Sequence, residues 1–320
     1  MVNTLLCIAT VILNKNMRKF LTRLSALTLA LLLGACSAVP QSKELILVGG
    51  ATGRQGTAVV DELLARGYSV RALTRKPAGK KAQALVAKGV EVVQGDYGDA
   101  ASLQAAMRGV HKVFFYSGFS RNEVAEGTNV IAAARDAGVT HLVYSSGAAA
   151  EPGKGLAGAK KLQVELAIVA SGVPYTVLRP VAFVENYAGQ QKRIEKMGIT
   201  DSRDPDRMLH FISIPDIGLF AGEAFDDPDT WLNVATNIAG ERMTVQEHVD
   251  VFSRVMGQPV IYNQLPLDDF LASLPKPLRP LFRWYDEVGY SADVVALRLR
   301  YPSLITLEEY LRATGWEAGE

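Results

Sequence analysis

The chain has 320 residues, 48% of them hydrophobic and 21% charged, enough for one large α/β domain or two smaller ones around a sizeable core. Its formal charge of +1 is uneven: Lys15, Arg18, Lys19 and Arg23 lie in the first 35 residues with no acid, leaving 30 basic against 33 acidic residues beyond them, a balance of −3. That mildly acidic body argues against a nucleic-acid surface and against charge-driven lipid binding, both cysteines (Cys7 and Cys36) precede it and so exclude a disulfide framework or a thiol catalyst there, and four scattered histidines show no metal-ligand spacing.

Residues 1–36 read as an export signal. From Met17 the sequence MRKFLTRLSALTLALLLGACS has a basic start at Arg18, Lys19 and Arg23, then an apolar run from Leu24 to Leu33 of secretory length. Leu33-Gly34-Ala35-Cys36 resembles the bacterial lipobox, in which the Cys36 thiol receives the lipid. There is no twin arginine, so the expected route is the general one, taken unfolded. The expectation is a lipoprotein of the bacterial envelope that faces the periplasm and meets the membrane only through its N-terminal lipid. An uncleaved anchoring helix is an alternative, although the run is short for a span. A mis-assigned start would instead leave the protein in the cytoplasm.

The body opens with Glu44-Leu-Ile-Leu-Val, a short unbroken apolar run of the kind buried on both faces of a sheet. Similar runs begin at Tyr68, Val90, Val113, His141 and Tyr175. Helical patterns lie between them at Thr57–Arg66, Lys81–Lys88, Ala101–Arg108, Asn122–Ala137 and Lys160–Ser171, each followed by a glycine in C-cap position. Strand and helix alternate at least five times, which predicts an α/β fold: a doubly wound parallel sheet of Rossmann type over residues 43–185. After Pro180 the rhythm breaks, and 186–320 reads as a smaller mixed C-terminal substrate lobe. Within 205–240, Phe211-Ile-Ser-Ile and the strand-like Trp231-Leu-Asn-Val-Ala are candidates to rejoin the main sheet or its edge.

Between the first strand and first helix lies Gly49-Gly50-Ala51-Thr52-Gly53-Arg54-Gln55-Gly56. In the spacing Gly50-x-x-Gly53-x-x-Gly56, the first glycine allows a tight turn, the second a close approach to a pyrophosphate, and the third close helix–sheet packing. The free N–H groups at the helix start suit phosphates. An NAD site places a carboxylate after the second strand, but this chain has Thr74-Arg75-Lys76-Pro77. Arg75 can clamp a 2′-phosphate through paired hydrogen bonds and Lys76 adds a second charge, which favours NADP(H). An exposed basic turn is the plainer reading of the same pair.

Taken together, GATGRQG, VRALTRKP, VQGDYGDAASLQAAMRGVHKVFF, HLVYSSG and KLQVELAIVASGVPYTVLRPVAFVEN resemble the NmrA-like family of atypical short-chain dehydrogenases/reductases. The resemblance is good from Leu45 to Asn186 and looser through FISIPDIGLFAGEAF and ERMTVQEHVDVFSRVMGQPV. It implies a Rossmann core holding NADP(H) across Gly50, Thr52, Gly53, Arg54, Gln55 and Gly56, with the 2′-phosphate at Arg75. It also implies adenine contacts near Asp96 and Tyr97, and nicotinamide-side contacts near Ser117-Gly118 and Ser145-Ser146. Asp96 can equally be a turn or helix-start residue.

Ordinary short-chain dehydrogenases use Tyr-x-x-x-Lys, in which the lysine eases proton transfer by the tyrosine. Here the tyrosine position is Ala157 and the lysine position is Lys161, four residues before Glu165. The resemblance leaves Lys161 as proton donor or ribose clamp, or as a plain solvated lysine. Ser145, at the end of the fifth strand, orients a substrate carbonyl or merely caps the next element. Phe183, Asn186 and Tyr187, just past the sixth strand, would line the cleft, with core packing an equal alternative for the two aromatics. Three functions follow: an NADPH-dependent reductase of a small carbonyl or quinone-like substrate, a non-catalytic NADP(H)-responsive protein that presents a surface to a protein partner, or a fold that has lost its cofactor.

Overall fold

Successive residues of the first strand, β1 (Lys43–Gly49), feed opposite sides of a sheet: Ile46 and Val48 join one apolar core and Leu47 the other, none more than 1% exposed. That is why the run is apolar without alternation, since helices cover both faces. The computed structural model describes residues 43–118, 120–153 and 158–317. The export signal with Cys36, and Ala157, lie outside the described residues.

From β1 the chain runs through α1 (Arg54–Ala65), β2 (Tyr68–Thr74), α2 (Lys80–Val86), β3 (Glu91–Gln94), α3 (Ala100–Ala106), β4 (Lys112–Tyr116), α4 (Glu123–Asp136), β5 (His141–Ser145), α5 (Ala159–Ser171) and β6 (Tyr175–Pro180). Gly172 closes α5 at φ +74°, the left-handed conformation that glycine adopts at no steric cost. Next come β7 (Ala182–Phe183), α6 (Gln191–Met197), β8 (Ile199–Asp201), β9 (Met208–Ile212), α7 (Ile214–Asp226), α8 (Pro228–Trp231) and β10 (Val234–Ile238). The chain ends with β11 (Glu241–Thr244), α9 (Val245–Met256), β12 (Tyr262–Gln264), α10 (Leu267–Ser273), α11 (Arg279–Glu287), α12 (Val294–Arg300) and α13 (Leu307–Ala313).

The main sheet has seven strands in the order β10-β6-β5-β4-β1-β2-β3, every neighbour parallel. Its order reverses between β1 and β4, and in such sheets the crevice outside the carboxyl ends at that point takes the ligand. On one face α1 and α7 pack through Val59, Val60, Leu63, Phe220 and Ala224. Gly218 permits their close approach, because a Cβ there would lie 2.8 Å from the Ala58 carbonyl oxygen. The other face is covered through Leu103, Val130, Val164 and Ile168.

Two late segments depart from the sequence reading. Phe211-Ile212 belongs to β9, which leaves the main sheet and pairs parallel with β7 and antiparallel with β11. The chain turns to helix at once after it, since the Ser213 hydroxyl accepts from the Asp216 N–H at 3.1 Å and a proline occupies the first turn. Trp231 is helical rather than extended: Asp227 and Pro228 start a short turn, and Asn233 at φ +60° redirects the chain into β10. Only from Val234 does the segment rejoin the sheet, at its β6 edge. A third core joins Leu209 and Phe211 of β9 and Met243 of β11 to Val184, Phe252, Leu307, Leu311 and Trp316. Among the described residues no helix is long and apolar enough to cross a membrane.

Candidate functional site

The carboxyl ends of β1, β2 and β4 form one end of the site. Gly50 turns the chain at φ +65°, and its carbonyl accepts from the Gly53 N–H at 2.8 Å. Gly56 is required by packing: a Cβ there would lie 2.2 Å from the Gly50 oxygen, so any side chain would force the loop apart. Gly53 is the N-cap of α1, no side chain caps that helix, and its first turn holds no acid. Its leading amides therefore keep the anion-seeking character of a helix start. Tyr116 braces the loop, its hydroxyl donating to the Gly50 carbonyl at 3.2 Å while its ring lies against Gly50 and Gly53.

Arg75 and Lys76 follow β2 directly, and both are exposed. The Arg75 side chain makes no hydrogen bond or ion pair with any described residue. Thr52 is half-buried in the loop, and Arg54 is exposed, reaching the Glu185 carbonyl at 3.4 Å. Gln55 accepts from the Ser145 hydroxyl at 2.7 Å. Asp96 is exposed and folds its carboxylate onto the Gly98 N–H at 2.8 Å, which is the turn role. Tyr97 points inward instead of towards the crevice: its ring meets Phe115 edge-on, and its hydroxyl, unpartnered among the described residues, occupies the space beside Gly49 that a side chain would fill. Burial raises its pKa far above the ordinary tyrosine value.

Next to the loop opens a cleft of about 820 Å³. The three residues expected to touch substrate, Phe183, Asn186 and Tyr187, all line it, as do Arg54 and Lys161. Of the serine pair, Ser146 lines the cleft and Ser145 does not; Ser145 is 1% exposed and turned to Gln55. Gly118 borders open space, with no atom within 4 Å of where a Cβ would be. Ser117 is buried, and its hydroxyl donates to Glu123 at 2.7 Å.

Lys161 joins the same network. Its Nζ donates to the Ser117 carbonyl and hydroxyl, both at 3.2 Å, and to Glu123 at 3.1 Å. Glu123, in the first turn of α4, is only 3% exposed, so the ammonium is its main compensation for lost water. This partner lies 38 residues away and went unseen in the sequence.

The far wall of the cleft was also missed. His210, His248 and the Arg203–Asp201 ion pair line it. Tyr187, Phe211 and Phe252 surround His248, with their ring centroids 5.2–5.3 Å from its own. His248 makes no hydrogen bond with the described residues, and burial pushes its pKa down to about 3, so the ring is neutral near pH 7. In the sequence it stands on the apolar face of α9 with Val245, Val249 and Phe252, a pattern that marks a core and not a cavity edge. Among the described residues no group of three or more His, Cys, Asp or Glu could hold a metal ion.

The sequence pattern of the NmrA-like family matches residues 42–311. The chain is 32% identical over 262 residues to the (4-alkanoyl-5-oxo-2,5-dihydrofuran-3-yl)methyl phosphate reductase of Streptomyces griseus, covering 78% of this chain and 90% of that one. It is 30% identical over 234 residues to quinone oxidoreductase 2 of Escherichia coli, covering 72% and 81%. The crystal structure of that NADPH-dependent quinone oxidoreductase in complex with NADPH superimposes with a TM-score of 0.75 over 84% of this chain and 99% of that one, at 27% identity. The Citrobacter sp. triphenylmethane reductase complexed with NADP(H) gives 0.73 over 84% and 99%, at 26% identity.

Proposed function

The chain belongs to the NmrA-like family, and on that premise we propose that it is an NADPH-dependent reductase of a small carbonyl or quinone-like substrate. One observation carries the cofactor reading: an exposed Arg75, without a partner among the described residues, stands at the end of β2, beside a helix start with no side-chain cap. These residues fit NADP(H). The amides of Gly50, Thr52, Gly53, Arg54, Gln55 and Gly56 would hold the pyrophosphate, and Arg75 with Lys76 would hold the 2′-phosphate. When bound, the nicotinamide supplies a hydride. The protein's part is to hold a flat acceptor against the loop, between Phe183 and the Tyr187–Phe211 wall, and to exclude water from it. The nicotinamide side would be bordered by Gly118, Ser146 and Lys161, with Ser117 behind.

The experiment is titration of the purified body with NADPH and NADH, for wild type and Arg75→Glu, followed by NADPH oxidation over a quinone and aldehyde panel. Arg75→Glu should weaken NADPH by roughly 100-fold or more and leave NADH nearly unchanged, because a charge-assisted pair becomes a repulsion. Equal affinities in wild type would defeat the NADP(H) assignment.

A second reading, a non-catalytic NADP(H)-responsive protein with a protein partner, is favoured by Ala157 in the place of the usual tyrosine and by the engagement of Lys161 with Glu123 and Ser117. Binding without turnover of any panel member would select it. We also propose that Cys36 carries a lipid that anchors the protein in the bacterial envelope, a reading supported by the basic, apolar and Leu33-Gly34-Ala35-Cys36 sequence alone. Metabolic labelling with a palmitate analogue should mark wild type and not Cys36→Ser; an unlabelled wild type would end that proposal.

A further inference from the structure

Ser146 ends a buried chain of charge. Its hydroxyl donates to Glu165 Oε1 at 2.5 Å. Arg179, at the carboxyl end of β6, grips the same carboxylate: Nε lies 3.1 Å from Oε1 and 3.2 Å from Oε2, and Nη2 lies 2.6 Å from Oε2. All three residues are nearly sealed, at 5%, 4% and 9% exposure. A carboxylate held by a guanidinium is ionised and accepts only, so the single Ser146 proton is directed at Glu165. A second polar group near Ser146 is the Tyr144 hydroxyl. Because Ser117 donates to Glu123, the 2.7 Å contact between Ser117 and Tyr144 takes the Tyr144 proton. The Ser146 main-chain N–H is also used, donating to the Leu178 carbonyl at 2.8 Å. What Ser146 has left for the cleft it lines is a pair of electrons, made more basic by the charge behind it.

We propose that Ser146 presents an acceptor to the cleft, not a donor, with Glu165 and Arg179 as the positioning pair that fixes this polarity. The bound group recognised there carries an N–H or O–H: the carboxamide of the nicotinamide or a hydroxyl on the substrate. The role reverses that expected of a serine orienting a carbonyl, and it rests on the reductase reading above. Ser146 then supplies no proton to a reduced carbonyl; it selects a donor-bearing ligand.

The test uses Ser146→Ala and Glu165→Gln in the full body. In Glu165→Gln the guanidinium claims the one remaining oxygen, so the side-chain amide turns its N–H to Ser146 and the serine proton swings into the cleft. Four constants are measured: Kd for NADPH, Kd for 2′-phospho-ADP-ribose (which lacks the carboxamide), and KM for 1,4-naphthoquinone and for a ring-hydroxylated analogue. If the carboxamide is the partner, Ser146→Ala weakens NADPH by roughly 5- to 10-fold and leaves 2′-phospho-ADP-ribose unchanged. If a substrate hydroxyl is the partner, KM for the hydroxylated quinone rises by that factor relative to KM for the parent quinone. In Glu165→Gln the same arm weakens and KM for the parent quinone falls. The proposal is overturned if Ser146→Ala raises KM for the parent quinone as much as for its hydroxylated analogue, or moves none of the four. Should Glu165→Gln fail to fold, Ser146→Ala decides alone, since it leaves the ion pair intact. A wild type that does not bind NADPH would instead sink the reductase reading, a separate outcome visible in the first titration.

Discussion

The two ends of the site are built from opposite materials. At the loop end the binding surface is main chain: glycines, an α1 start without a side-chain cap, and Arg75 with no partner among the described residues. At the substrate end most polar groups have found one another already. Lys161 holds Glu123, Glu165 holds Ser146 and Arg179, Asp201 holds Arg203, and the hydroxyl of Tyr290 donates to that of Tyr285. The first end is left unsatisfied for phosphate; the second, His210 and His248 apart, is satisfied in advance and presents shape and aromatic surface. Affinity should therefore come chiefly from the loop end, and discrimination between acceptors from the other.

The largest test of that contrast is Lys161→Ala. If Lys161 belongs to the pre-satisfied network, its loss strands Glu123 at 3% exposure and should cost roughly 3–5 kcal/mol of stability in chemical denaturation. The double variant Lys161→Met, Glu123→Gln should recover most of it, because no unpaired charge is left. A single variant that keeps its stability yet loses turnover would break the comparison and place Lys161 among the catalytic residues.

The contrast also explains what the sequence could disclose. The parallel sheet and the loop arise from local patterns: apolar runs, helix periods and glycine spacing all lie within a few residues of one another. The predicted α1 started at Thr57 and the helix starts at Arg54, a small error that follows from Gly53 being its cap. Trp231 was misread because aromatic and apolar residues suggest a strand, while the stronger local signal was the preceding Asp227-Pro228 helix start. The substrate end depends on pairings that no local pattern encodes. Lys161 and Glu123 come from different helices, and Ser146 meets Glu165 only when α5 folds back over β5. Phe183, Asn186 and Tyr187 were placed in the cleft because they follow a strand's carboxyl end, a rule of topology; His248, on a helix far along the chain, had no such rule.

A smaller effect should appear as a pH dependence where α7 meets the C-terminal segment. Asp216 is 3% exposed and accepts from the Ile305 N–H at 3.1 Å; burial pushes its pKa from the ordinary 3.8 up to about 6. Between those values the folded protein holds a proton that the unfolded chain has released. The contribution is fully present below about pH 4 and is lost as the pH rises through 6, a change of roughly 3 kcal/mol. Asp216→Asn should flatten stability between pH 4 and 7 in denaturation series. An unchanged slope would show that the join between α7 and residue 305 does not titrate in this range.

The finest test asks which end owns Ser145. The sequence offers it to the substrate, but its hydroxyl donates to Gln55 at 2.7 Å, tying the tip of β5 to the first turn of α1. One neutral hydrogen bond of this kind is worth about 1 kcal/mol. Ser145→Ala should therefore loosen the loop and weaken NADPH by roughly 5-fold, while KM for a quinone and kcat at saturating NADPH stay as they were. A serine acting on substrate would do the reverse, lowering kcat with cofactor affinity intact. Because Ser145 and Ser146 are neighbours whose hydroxyls point to different partners, the same measurements on both variants separate the two ends by a single step along the chain. Ser145→Ala should weaken 2′-phospho-ADP-ribose along with NADPH, whereas Ser146→Ala spares it; should both variants weaken 2′-phospho-ADP-ribose, the division of the site into a main-chain end and a side-chain end would be wrong at the point where the two meet.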